Sequence, residues 1–158
     1  MKFKSITSVF AAVLAMVIGV VAATLFGNIG AVAVSAHSRH SHELHVTKEC
    51  SQNTGQAGSF CTITSSSLPA IAVGSKIYYD QALGTPAGML DSNVVLVVGS
   101  DDWAVGRCTL GLGTGRGVCS FSDGTGSFAG FHARVDVSHV GGPNFAWDGT
   151  YSFDKDSD

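Results

Sequence analysis

The most regular patterning in the chain lies towards its C-terminus. Over residues 131–138, Phe131, Ala133, Val135 and Val137 fall on one side, and His132, Arg134, Asp136 and Ser138 fall on the other. A period of two predicts a strand buried on one face. The alternation returns over 145–154. There Phe145, Trp147, Gly149, Tyr151 and Phe153 share the face expected to be buried, and Gly141-Gly142-Pro143 separates the two runs. Upstream, Cys119-Ser-Phe-Ser leads into an expected tight turn at Asp123-Gly124-Thr125-Gly126, where glycine supplies φ > 0 without a Cβ penalty. Further strands are expected over 60–65, 76–81, 93–98, 103–112, 117–121 and 128–140. The run Val94-Val95-Leu96-Val97-Val98 is short enough for a buried strand. No helical period of useful length is present after residue 36. Many short strands with Gly-rich turns predict an all-β antiparallel barrel or sandwich.

The first 36 residues change the picture of compartment. Lys2 and Lys4 precede an uncharged apolar run from Ile6 to Phe26, followed by small-residue sites at Ala31-Val32-Ala33 and Val34-Ser35-Ala36. This is the pattern of a secretory signal peptide. The run is also about as long as a membrane span of roughly 20 residues, so an uncleaved signal anchor is the alternative. The expected organisation is a signal segment at 1–36, a His-rich linker at 37–48 and one barrel domain at 49–158. The expected location is secreted or periplasmic, or membrane-anchored if cleavage fails.

Charge excludes some partners. The chain carries 9 basic and 12 acidic residues; without Lys2 and Lys4 the balance is 7 to 12, a formal net charge of −5. An acidic module with scattered charges offers no electrostatic footprint for nucleic acid or anionic lipid. No nucleic acid is expected as a partner, and no membrane once the signal is removed.

Four cysteines in an exported chain favour disulfides over metal ligation. Cys50 and Cys61 are eleven apart, as are Cys108 and Cys119. The second pair is symmetric about Gly113-Thr114, which would set the two sulfurs opposite each other in a hairpin. Of the three possible connectivities, the two local bridges Cys50–Cys61 and Cys108–Cys119 are favoured. His37, His40, His42 and His45 fall within nine positions and are weak candidates for a metal. Imidazole suits zinc, copper and nickel, but a short His-rich tract is compositional evidence, and the segment is read as a solvated linker. No metal and no cofactor are expected.

The segment Asp123-Gly-Thr-Gly-Ser-Phe-Ala-Gly-Phe-His-Ala, with its bounding strands, resembles the G-G-T-G-x-F turn and strand of dirigent proteins. It is also similar to the G-G-S-G-x-F-x-G segment of allene oxide cyclases. Val73-Gly74 before a polar-aromatic strand, and Trp103-Ala-Val-Gly-Arg-Cys-Thr-Leu before the signature turn, stand in the corresponding order. The resemblance covers roughly residues 60–153 and is strongest to small secreted bacterial members of the family, whose activity is generally unassigned. It implies an eight-stranded antiparallel β-barrel of the allene oxide cyclase/dirigent, calycin-like type, often with an apolar cavity and often a homo-oligomer.

For chemistry, the resemblance points to residue types. Allene oxide cyclases use a buried carboxylate, and no residue here matches it; Glu43 and Glu49 lie in a polar segment without the motif. Dirigent pockets carry Asp, Arg and Tyr groups, which makes Tyr78, Tyr79, Arg107, Arg134 and Asp136 the candidate pocket residues, with Tyr78 or Tyr79 and Arg107 expected near the mouth. On strand pattern alone, Arg134 and Asp136 read as a solvated face. Gly124-Thr-Gly-Ser-Phe-Ala fits a dinucleotide fingerprint on paper, but that site needs a helix after the glycines, and the residues after Ala129 alternate with period two. No catalytic constellation is recognisable. The expected function is a secreted, disulfide-stabilised barrel that binds a small apolar ligand or a protein partner. The alternative is an isomerase/cyclase- or dirigent-type enzyme acting on an apolar molecule in the barrel.

Overall fold

The computed structural model describes residues 40–84 and 86–154. Eight strands succeed one another in chain order: β1 (His42–Glu49), β2 (Phe60–Ser66), β3 (Lys76–Tyr79), β4 (Met89–Val97), β5 (Trp103–Gly111), β6 (Arg116–Thr125), β7 (Phe131–Gly141) and β8 (Asn144–Phe153). Each pairs antiparallel with the next, and β8 pairs antiparallel with β1. The sheet is therefore a closed up-and-down barrel, not a sandwich. Closure leaves no free edge to template aggregation. A single 3-10 turn, Gly126–Phe128, is the one helical element among the described residues. No helix among them is long and apolar enough to cross a membrane. The segment read as a signal, and His37, lie outside the described residues.

Inward positions obey the alternation. Phe131, Ala133, Val135 and Val137 of β7 are buried, while Arg134 and Asp136 are exposed. Both local disulfides form, Cys50–Cys61 and Cys108–Cys119, which accounts for all four cysteines. Cys108 and Cys119 face each other directly across β5 and β6.

Four expectations need correction. The barrel begins at His42, inside the stretch read as a linker; Leu44, Val46 and Lys48 are the inward residues of β1. The turn after β6 comes later than Asp123-Gly124-Thr125-Gly126, because residues 123–125 still belong to β6. Positive φ is required at Gly126 and Gly130. Gly124 is needed for proximity instead, since a Cβ there would lie 2.4 Å from the Trp103 carbonyl oxygen. The apolar run in β4 is buried on one face only: Val94 and Leu96 point in, and Val95 and Val97 are half-buried outside. In β8, Trp147 is fully buried, but Phe145, Tyr151 and Phe153 are half-buried near the barrel ends.

The two ends differ. At one, Leu68 and Ile71 from the β2–β3 connection and Phe128 from the 3-10 turn are buried. Phe128 packs edge-on to Phe131, with ring centroids 5.3 Å apart. Phe131 meets Phe121, and Phe121 meets Trp147 at 5.6 Å. This aromatic column runs from the plugged end to the middle of the barrel. Asp102, in the β4–β5 connection, fastens the plug by accepting hydrogen bonds from the Ser127 backbone N–H and hydroxyl at 2.7 and 2.9 Å. Those two donors hold its carboxyl below the usual carboxylate range.

Candidate functional site

The other end is open. Antiparallel connectivity brings the β1–β2, β3–β4, β5–β6 and β7–β8 connections to this end. A cavity of about 210 Å³ lies within them. Leu83, Leu112 and Pro143 from three of these connections border it, and Leu90, Leu110 and Val137 form its apolar wall. Both disulfides also line it, because all four cysteines lie towards this end. The bridges thus tie neighbouring strands together where no plug supports them.

One charged residue interrupts this apolar lining. Lys48 is 4% exposed and occupies an inward position of β1, opposite Ile63 of β2 and Phe145 of β8. Its Nζ donates a hydrogen bond of 2.5 Å to Tyr79 Oη. It also lies 4.6 Å from the Trp147 ring centroid, 5.2 Å from that of Tyr79 and 5.8 Å from that of Phe145. Aromatic faces attract an ammonium group. No carboxylate pairs with Lys48 among the described residues. Burial therefore dominates and lowers the Lys48 pKa from its ordinary value to about 7. The same burial pushes the Tyr79 phenol well above its usual range, so it stays neutral. Near neutral pH the site holds a largely uncompensated amine in two protonation states, touching one phenol. Just below, the Trp147 indole N–H is buried and has no hydrogen-bond partner among the described residues.

The five candidate pocket residues separate. Tyr79 is buried and lines the cavity. Tyr78 points outward and packs on Phe60, with ring centroids 5.4 Å apart. Arg107 is exposed and bonds Asp91 at 2.8 Å, beside a shallow outer recess. Arg134 borders a second outer recess, next to His132 and Tyr151. Asp136 is exposed and lies across from Asp148. The alternation of each strand decides these placements: Tyr78 and Tyr79 are neighbours, so only one of them can face inward. Sequence reasoning missed Lys48 altogether.

The three described histidines of the cluster do not converge. His40 precedes β1, His42 stacks on Tyr151 at the plugged end, and His45 faces outward. His45 Nδ1 lies 2.9 Å from Asp148 Oδ1 and Nε2 3.6 Å from Glu43 Oε2. The Asp148 hydrogen bond, assisted by Glu43, raises the His45 pKa. No group of three or more metal-ligating side chains is gathered among the described residues. Glu43 is exposed, and Glu49 accepts a hydrogen bond from the Ser51 backbone N–H at 2.7 Å. Neither carboxylate is inside the barrel; the buried polar residues are Lys48 and four serines among the described residues.

Comparison of the chain with protein-family models, with curated proteins and with solved structures returns no match.

Proposed function

We propose that this protein is an exported barrel of the allene oxide cyclase/dirigent type that binds a small apolar molecule in its open end. One observation carries the reading: an apolar cavity of about 210 Å³ with two convergent polar groups, Lys48 and Tyr79, at one end of the barrel. Ligand sites are typically concave and apolar, with few polar groups to orient the guest. The volume is below the roughly 300–1,000 Å³ of drug-sized pockets, so the ligand is a single ring or a short chain. Export is supported by the signal-like N-terminal sequence and by two disulfides, which persist in oxidising compartments. A cyclase of the family's kind would need an interior carboxylate, and none is buried among the described residues. Binding without turnover is therefore the preferred reading over the enzyme alternative.

The test is native mass spectrometry of the disulfide-intact protein after incubation with cell extract and with panels of short-chain lipids and simple phenols. Retention of a small apolar molecule at one per chain is expected. Failure to retain any member, or turnover of a retained one, would overturn the reading.

A further inference from the structure

A guest with no polar group would leave the Lys48 amine without a partner beyond Tyr79, and its buried position is chemically demanding. We propose that Lys48 captures small apolar aldehydes as a Schiff base inside the cavity, with Tyr79 positioning its amine; this rests on the ligand-binding reading of that cavity. The geometry meets what such a capture needs. The amine is buried beside Tyr79 and Phe145, both of which line the cavity. The titratable and charged groups around it are few. β3 presents Tyr79; β8 presents the rings of Phe145 and Trp147; β2 presents Ile63. None of these supplies a counter-charge. Desolvation without a counter-charge is the condition under which a lysine becomes a nucleophile near neutral pH.

The choice of aldehyde over acid rests on charge. A carboxylate guest would bring a second ion into an apolar interior, where two desolvated charges are costly. An aldehyde enters neutral and leaves a neutral imine. The step balances without an oxidant or reductant. The Lys48 Nζ lone pair attacks the carbonyl carbon, the C–N bond forms, and the carbonyl π pair moves to oxygen, which takes a proton as nitrogen loses one. The carbinolamine C–O bond then breaks. Oxygen departs with a second proton as water, nitrogen gives up its remaining proton, and the C=N bond forms. Tyr79 Oη, in hydrogen-bond contact with Nζ, is placed to relay those protons and ends as the neutral phenol.

Lys76 provides an internal control. It is exposed on β3, with its Nζ over the Phe60 ring at 4.5 Å. At pH 7 the unprotonated fraction of Lys48 exceeds that of an ordinary lysine by a factor on the order of a thousand. The full disulfide-intact chain is incubated with hexanal and cyanoborohydride, which reduces imines, and adducts are mapped by peptide mass spectrometry. One adduct per chain at Lys48 is expected, formed at least roughly tenfold faster than at Lys76 and with a pH profile inflecting near 7. Lys48→Met should lose it, and Tyr79→Phe should slow it while leaving the adduct at Lys48. Hexanol, which cannot form an imine, is titrated in parallel by tryptophan fluorescence. Saturable hexanol binding with hexanal adducts no faster at Lys48 than at Lys76 overturns the capture and leaves the cavity reading standing. No hexanol binding and no selective adduct overturns both. Mapping the wild-type chain keeps the outcome decisive even where a variant fails to fold.

Discussion

At position 48 the neighbours call for an apolar side chain: Ile63 lies on one side, Phe145 on the other, and the Trp147 ring beneath. Placing an amine there has a consequence for stability that can be read against pH. The folded pKa of about 7 lies below the unfolded value of 10.5, so between these values the unfolded chain binds the extra proton. Stability therefore rises with pH above about 7, by roughly 1.4 kcal/mol per unit at the steepest. Tyr79 acts in the opposite sense. Its folded pKa is raised, so stability falls again once pH passes the ordinary phenol value near 10. Denaturant unfolding across the range from neutral to strongly alkaline pH should show a maximum between these limits. Lys48→Met should flatten the rising limb and be at least as stable as wild type at neutral pH. Trp147→Ala, at a fully buried site, should cost about 3–5 kcal/mol in the same assay.

Among the strands, close packing of backbones sets the sharpest expectations. Gly149 in β8 lies against β7, and a Cβ there would sit 2.1 Å from the Arg134 carbonyl oxygen. Gly149→Ala should force the strands apart and destabilise the barrel by roughly 1–3 kcal/mol, measured by the shift in urea midpoint. Replacing Cys108 and Cys119 together by serine should cost roughly 3 kcal/mol in the chain-entropy account and loosen the open end, visible as faster amide exchange in the β5–β6 turn. The strands also separate what the sequence makes legible from what it hides. The alternation in β7 and β8 is uninterrupted, and both are readable to within a few residues. β1 is not, although Leu44 and Val46 alternate correctly, because the third inward position is a lysine and the flanks are His and Glu. The residue that conceals the strand is also the charged residue in the cavity lining, so β1 and Lys48 escape notice together. Tyr78 and Tyr79 have the same chemistry, and only strand register separates them. Arg107, Arg134 and Asp136 are suitable residue types, but their positions in the alternation place them outside. The cysteine pairing is legible because each pair spans one local connection between adjacent strands. The 3-10 plug is not, since a three-residue turn leaves no period to read.

For the whole molecule, the asymmetry of the two ends organises everything else. Aromatic packing and the Asp102–Ser127 clasp close one end, while the other is held by disulfides around a cavity. A guest that binds only the folded barrel adds stability by mass action, about 2.7 kcal/mol at roughly a hundred times its Kd, so a good ligand should raise Tm by several degrees. The most direct test of where guests bind is a methyl NMR titration with benzene, a small apolar probe with no reactive group. Saturable shifts are expected at Leu83, Leu90, Leu110 and Leu112, around the cavity, with Leu68 and Ile71 at the plugged end unmoved. Shifts that fail to saturate, or that fall at the plugged end or the outer recesses instead, would contradict a binding site in the open end of the barrel.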